Sequence, residues 1–448
     1  MKKLNRILFH RSVLVGVALL AQIVTLVLMV TSFSEHVAFF YWSCIALSIL
    51  AALAIMSSRS EPGYKIVWLL LVVIFPVFGG VFYLLMGGGR VPKRTARRLE
   101  DIGRKFALAL REDFKADDLL VLGEDAAGQA RYLENYAACP AYTNTETEYF
   151  ALGDLAMPRI LEDLERAKRY IFLEYFIIEP GAFWDSILDI LERKAAQGVE
   201  VRLIYDDMGC MYTLPRNYNE QMAARGIQCR VFNRFVPLVS LRLNNRDHRK
   251  FIVVDGETAF TGGVNLADEY VNRKVRFGHW KDSMIRLEGD AAWSVTVMFL
   301  SMWDHISNWE EDFSRFRPPP FPVKPWTGYV QPYTDTPLDN ERVAQTVYLN
   351  MISRARKYIY ITTPYLIIDV PTSTALCNAA NSGVDVKIIT PHIPDKRSVF
   401  EVTRAQYPPL LEAGVEIYEY TPGFIHAKNF VVDDRYATVG TVNLDYRS

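Results

Sequence analysis

HRKFIVVDGETAFTGGVN, residues 248–265, and HAKNFVVDDRYATVGTVN, residues 426–443, carry the same five residues at the same spacing. In each, His is followed by Lys at +2, Asp at +7, Gly at +14 and Asn at +17. The sets are His248, Lys250, Asp255, Gly262 and Asn265, then His426, Lys428, Asp433, Gly440 and Asn443. A single such pattern is weak, because a strand can carry His and Lys on a polar face for no chemical reason. Its recurrence at matching places is a duplication. On a strand, side chains two apart share a face, so each His and Lys are expected to point together, with Phe430 and Val432 continuing that side. The Asp at +7 falls at the strand end, suited to a turn or to holding a neighbouring segment. The Gly-x-x-Asn element permits close backbone approach.

Working outward, other segments repeat in step. RAKRYIFLEYFI (166–177) answers RARKYIYITTPYL (354–366), GVEVRLIYDD (198–207) answers GVDVKIITP (383–391), and GIQCRVFN (226–233) answers GVEIYEY (414–420). Each is a short β-branched or aromatic run, and helical patterns such as WDSILDILERKAAQG lie between them, the alternation of an α/β unit. The proline-rich stretch RPPPFPVKPW (317–326) separates the copies.

Ahead of the repeat, three runs carry no charged residue: Val13 to Phe33, Val37 to Met56 and Ile66 to Gly87. Each approaches the ~20 residues that span a bilayer core, and they are expected to be transmembrane helices. Lys2, Lys3, Arg6 and Arg11 precede them, while Arg90, Lys93, Arg94, Arg97 and Arg98 follow. Both flanks therefore ask to be cytoplasmic, which three full crossings do not allow; the third run holds Pro76, Gly79 and Gly80 and is a candidate for a kink or re-entry. From Arg94 to Leu110 a basic amphipathic helix is expected, suited either to anionic lipid or to packing on the main domain. The expected division is an anchor of two or three helices (1–92), a linker (93–131), a first domain (132–317), a joint (318–326) and a second domain (327–448).

Composition narrows the function. The chain has 448 residues, with 50 Lys+Arg against 51 Asp+Glu, so a generic polyanion binder is not indicated. Its five cysteines are scattered with no CxxC pair, against a structural zinc site or a disulfide framework. Two His, two Lys and two Asn brought together across a pseudo-twofold make a positive, donor-rich pocket that matches a phosphodiester. One His can attack phosphorus to give a phosphohistidine, while the other protonates the leaving alkoxide and then deprotonates the incoming hydroxyl. No metal and no cofactor are required. Single histidines at 279, 305 and 392 lack partner spacing. Asp206 and Asp207 end a strand, where acids are usually solvated.

The duplicated residues resemble the HKD motifs of the phospholipase D superfamily, and the whole chain is similar to the bacterial cardiolipin synthases. The similarity extends to WLLLVVIFPVFGGVFYLLMG (68–87), to GGVNLADEY (262–270) with HWKD (279–282), and to LLEAGVEIYEYTPGFIHAK (410–428). It implies an α/β fold: N-terminal transmembrane helices, then a duplicated phospholipase D-type domain of two mixed sheets flanked by helices, with the active site at the pseudo-twofold joint. It implies a multi-pass protein of the bacterial plasma membrane that joins two phosphatidylglycerol molecules into cardiolipin and releases glycerol. His248, Lys250 and Asp255 match the first motif; His426, Lys428 and Asp433 match the second. Asn265 and Asn443 match the phosphate-pocket asparagines. Gly263 and Thr441 stand where the superfamily usually has Ser; Thr441 keeps the hydroxyl, and the first half is expected to lean on the Gly263 backbone amide or on other donors. Asp282 lies where a His-orienting carboxylate is carried. The acid that orients His426 is then expected beyond Ser448, which makes the chain read as cut short. The resemblance favours His248 as nucleophile and His426 as general acid and base, while motif symmetry by itself leaves the choice undecided. Alternatives are hydrolysis by water or another alcohol as acceptor. A nuclease would need a basic track, which the balanced charge does not offer, and a non-catalytic scaffold would not need both His-Lys pairs intact.

Overall fold

The computed structural model describes residues 20, 23–24, 27, 37–58, 62–76, 79–86, 93–113, 116–234, 246–307, 310–323, 328–335 and 341–445. By contacts the chain divides into two compact units, residues 1–92 with 236–244, and residues 93–235 with 245–448.

In the first unit, the second apolar run forms one helix, α1 (Val37–Ser57). The third run does not: it breaks around Pro76 into α2 (Pro62–Ile74) and α3 (Gly79–Met86), because proline lacks the amide that a continuous helix needs. At 1.5 Å per residue these pieces are about 20 Å and about 12 Å long. The first run lies almost wholly outside the described residues. Among the described residues no helix is long and apolar enough to cross a membrane, so the two or three expected crossings are not part of the observed fold. Many large apolar side chains of α1 and α2 nevertheless face outward, among them Trp42, Leu50, Val67 and Val73.

The second unit opens with α4 (Lys93–Leu110). Phe106 and Leu110 bury into the main core, Lys105 pairs with Asp304 at 2.6 Å, and Arg98 donates to the Asp304 carbonyl at 2.6 Å. Of the two roles open to this basic helix, the structure realises packing on the domain.

The duplication appears in the sheets. The first half contains β1 (Thr145–Phe150), β2 (Tyr170–Tyr175), β3 (Glu200–Asp206), β4 (Gln228–Phe232), β5 (Phe251–Val254), β6 (Thr258–Gly262), β7 (His279–Lys281) and β8 (Met284–Gly289). The second contains β9 (Tyr358–Thr362), β10 (Leu366–Ile367), β11 (Asp385–Pro391), β12 (Glu416–Tyr420), β13 (Gly423–Ile425), β14 (Asn429–Val432), β15 (Tyr436–Val439) and β16 (Leu444–Asp445). The orders are β1-β8-β6-β5-β2-β3-β4 and β12-β11-β9-β14-β15. Read from the motif outward, β6-β5-β2-β3-β4 and β15-β14-β9-β11-β12 are the same arrangement: parallel strands, with the motif strands antiparallel beside them.

The first sheet is covered on both faces, which is why YIFLEY reads as an almost unbroken apolar run. Ile171, Leu173 and Tyr175 pack on the outer helices Gly153–Arg166 and Ala182–Ala196. Tyr170 and Phe172 alternate to the other side and meet the helix Ala291–Ser307, whose first ten residues are all buried. The second sheet is half-covered: Ile359, Ile361, Val386 and Ile388 are buried, while Tyr360 and Tyr418 are exposed. Helices thus flank it on one face. The halves are joined by the parallel pair β7 and β13, with Trp280 opposite Phe424, and by Ser283 Oγ to Asn429 Oδ1 at 2.9 Å. Their apolar side chains form one continuous core.

Candidate active site

The two His-x-Lys segments sit just ahead of their strands, since β5 starts at Phe251 and β14 at Asn429. They were expected within the strands; in fact they are extended segments at the carboxyl ends of β2 and β9, where Phe251 pairs with Glu174 and Asn429 with Thr362. Each lysine turns back on its own histidine. Lys250 Nζ donates to the His248 carbonyl at 2.5 Å, and Lys428 Nζ donates to the His426 carbonyl. Both ammonium groups are buried, and so is His426.

The halves cross at the imidazoles. His426 Nδ1 lies 2.6 Å from Asp282 Oδ2, a carboxylate of the first half. His248 Nδ1 lies 3.1 Å from the Thr441 carbonyl oxygen of the second half. Asp282 therefore orients His426, where it had been expected to serve His248, and the carboxylate expected beyond Ser448 for His426 is already supplied across the joint. The reason is topological: Asp282 follows β7, and β7 pairs with β13, which runs directly into His426.

Charge in this pocket is crowded and dry. Burial pushes the Lys428 ammonium down to about 7, with Asp282, Asp445 and Asp395 partly offsetting it. Lys250 falls well below its ordinary value through burial and then repulsion from Lys428. His248 is held well below the usual imidazole range by burial and by Lys250, Lys428 and His426. His426 drops to about 4 through burial and Lys428, against the pull of Asp282. Burial pushes Asp282 upward, yet His426 and Lys428 outweigh it and keep the carboxyl ionised below its usual range. Such a pocket is short of negative charge. An entering phosphodiester anion would favour the protonated form of every one of these bases.

Other sequence candidates divide. Asp255 and Asp433 are not brought into the pocket. They lie past the far ends of β5 and β14, both at φ 57°. Asp255 accepts backbone N–H bonds from Lys168, Arg169 and Tyr170, and Asp433 from Arg356, Lys357 and Tyr358, all at 2.7–2.9 Å. Their oxygens tie down the starts of β2 and β9, so the catalytic grouping of these two aspartates is corrected to a strand-anchoring one. Asn265 is buried and internally used: its Oδ1 accepts from Ile177 N–H at 3.0 Å and its Nδ2 donates to Tyr270 Oη at 2.8 Å. Asn443 differs, since its Oδ1 is buried with no hydrogen-bond partner among the described residues. The Gly263 amide donates to the Ser283 carbonyl at 3.0 Å and is not available to a phosphate as expected. A Cβ at Gly263 would stand 2.0 Å from Asp282 Oδ1. Glycine replaces the usual Ser here because the carboxylate occupies that space. At the +14 glycines the copies also differ: a Cβ on Gly262 would stand 2.2 Å from the Ser283 carbonyl oxygen, whereas among the described residues nothing lies within 4 Å of one built on Gly440. Thr441 contributes its carbonyl to His248.

Several neighbours were misread or missed in the sequence. Asp206, expected to be solvated at its strand end, is instead fully buried and accepts N–H bonds from Met208, Gly209 and Asp247, bracing the residue before His248. Burial lifts its carboxyl to about 6. Arg249 pairs with the buried Glu174 at 2.6 Å and with Asp247 at 3.3 Å. The only signal was the RDHRK run itself. Around His426, rings of Tyr270, Trp280 and Phe424 stand 5.5–5.8 Å away, and Phe176 lies 5.1 Å from His248. His279 and His392 are exposed and paired with Tyr420 and Glu419, outside the pair.

Two matched α/β halves, each presenting a His-x-Lys segment across a shared joint, define a phospholipase D-type enzyme fold. The profile described as "Cardiolipin synthase, PLD-like domain" matches residues 160–284 and 348–448, and that described as "Phospholipase_D-nuclease N-terminal" matches residues 46–88. The chain is 34% identical over 402 residues to a cardiolipin synthase of Geobacillus kaustophilus, covering 89% of this chain and 80% of that protein. It is 43% identical over 405 residues to an uncharacterized protein of Streptococcus mutans, covering 89% and 86% respectively. A solved structure, the phosphatidylserine synthase of Haemophilus influenzae, shares the fold with a TM-score of 0.50 at 16% identity, covering 71% of this chain and 84% of that one. The chain belongs to the cardiolipin synthase family of the phospholipase D superfamily, a family of phosphatidyltransferases.

Proposed function

We propose that the chain moves a phosphatidyl group from one phosphatidylglycerol to a hydroxyl of another, giving cardiolipin and glycerol, with His248 as nucleophile and His426 as general acid and base. The observation that carries the assignment is the contact of His426 Nδ1 with the buried Asp282 carboxylate. Hydrogen-bonded to a neutral carbonyl, His248 donates from Nδ1 and keeps its Nε2 lone pair for attack on phosphorus. Hydrogen-bonded to Asp282, His426 can carry a second proton as imidazolium, the state a general acid must reach. Attack forms the Nε2–P bond and breaks the P–O bond to the leaving glycerol, which takes its proton from His426. The acceptor hydroxyl then gives its proton to His426 while its oxygen displaces His248. Lys250, Lys428 and the Nδ2 amide of Asn443 are the donors that would stabilise the charge developing on phosphate.

The membrane setting belongs to the same reading. Outward apolar side chains on α1 and α2, together with the charge-free run Val13 to Phe33, support an N-terminal anchor in a bacterial plasma membrane, with the domain boundaries read from the sequence as its functional divisions. Reconstituted in phosphatidylglycerol vesicles, the protein is expected to yield cardiolipin and free glycerol. Phosphatidic acid as the sole product would show a hydrolase instead. His248→Asn and His426→Asn should each lower turnover by ~10³-fold or more, and rapid quenching with phosphorus-labelled donor should trap label on the His426→Asn chain but not on His248→Asn.

A further inference from the structure

We propose that the turn Arg273–Phe277, with the adjoining segment Ile393–Arg397, docks the active site onto an anionic lipid surface. The proposal rests on the reading of the substrate as a lipid and adds how that lipid is reached.

The chain as a whole is electrically balanced, at a net charge of −1. Yet Arg273, Lys274, Arg276, Lys396 and Arg397 are all exposed within these two short segments. Lys274 pairs with Glu179 and Arg276 with the buried Glu269, but their own side chains remain 52% and 53% accessible. Lys396 is 63% accessible beside Asp395. Val275, at the tip of the turn, is 82% exposed with cations on both sides, and Ile393 is exposed on the neighbouring segment. An apolar tip flanked by cations is the composition that enters the headgroup region of an anionic bilayer, the cations drawn to the lipid charge and the tip to the acyl boundary.

Location sets this patch apart from other exposed apolar residues. The two segments meet at one strand: His279 N–H donates to the Pro422 carbonyl at 3.0 Å and Ile393 N–H to the Gly423 carbonyl at 3.5 Å. From the turn, Phe277 packs on Phe424 and Trp280 at 5.9 and 6.3 Å, and those rings contact His426. Pro364, Tyr365, Pro394, Lys396, Phe400 and Phe424, with Asp395, line the surface between the segment and that aromatic wall. Each half supplies one segment, so the patch exists only where the halves join, as the catalytic pocket does. A lipid held here by its bilayer would present its headgroup beside His426.

The test compares two substrates of the full chain: phosphatidylglycerol in phosphatidylcholine vesicles, and the water-soluble phosphodiester bis(p-nitrophenyl) phosphate. Val275→Asp and the pair Arg273→Glu with Arg397→Glu should lower the vesicle rate roughly tenfold, while the soluble rate stays within about twofold. Added salt should slow the parent on vesicles and leave the charge-reversed pair nearly unaffected. Vesicle rates within about twofold of the parent in both variants would overturn the docking role. An equal fall on both substrates would overturn it too, by showing damage to the site. Should the parent turn over neither substrate, the underlying lipid reading fails and the proposal with it.

Discussion

At the scale of single residues, the pocket is governed by charges that cannot all be satisfied until an anion arrives. Lys428 illustrates the sign. Burial holds its ammonium at about 7, so above that pH the empty site contains a neutral amine. A phosphodiester anion favours the charged form, and binding above pH 7 therefore requires proton uptake. The affinity of a non-titrating competitor such as diphenyl phosphate should weaken as pH rises above 7, by up to about tenfold per unit, and level off below it. Lys428→Arg, charged throughout, should flatten that dependence; an unchanged slope in this variant would place the titration elsewhere. The Asp282 contact shows how little the motif spacing reveals about partners. Asp282 stands 34 residues after His248 and 144 before His426, yet serves His426. Contact order in space, set by the β7–β13 pair, overrides proximity in sequence.

At the scale of elements, the aspartate of each motif anchors a strand start. Three backbone N–H groups depend on Asp255 and three on Asp433. Such charge-assisted bonds are individually worth about 1.5–3 kcal/mol, and removal orphans their donors. Asp255→Ala is expected to cost about 3 kcal/mol of stability, read as a lower denaturation midpoint in urea, with turnover per folded molecule nearly retained. Loss of turnover at unchanged stability would return this aspartate to the chemistry. The strands themselves were legible, because YIFLEY and YIYIT announce β structure through their β-branched and aromatic content. Their partners were less so. The sequence places His and Lys in the strand by periodicity, whereas the ladder begins only three residues after each histidine, since the preceding segment is held by side chains and by the other half.

At the scale of the molecule, the two halves work as one unit. His248 leans on Thr441, His426 on Asp282, and one apolar core runs through both. Cleavage at the proline-rich joint should therefore leave the fragments associated. A protease site inserted after Val323, which is 92% exposed, is expected to give a nicked protein that co-elutes as one species and retains most of its turnover. Separation of the fragments without denaturant would show that the halves are held together mainly by the linker.

The sequence by itself determined the duplication, the α/β class and the identity of the His, Lys and Asn groups, because spacing and strand-like runs are local properties of the chain. It also showed the apolar N-terminus and, through Pro76, Gly79 and Gly80, where its third run breaks. Only the tertiary structure decided which carboxylate serves which histidine, why residue 263 must be glycine, and that Asp255 and Asp433 stand outside the pocket. Those outcomes depend on which strands lie side by side across the joint. The physical reason is that a hydrogen-bond partner is chosen by distance and direction in the folded chain, and a pseudo-twofold brings together groups that the sequence keeps far apart.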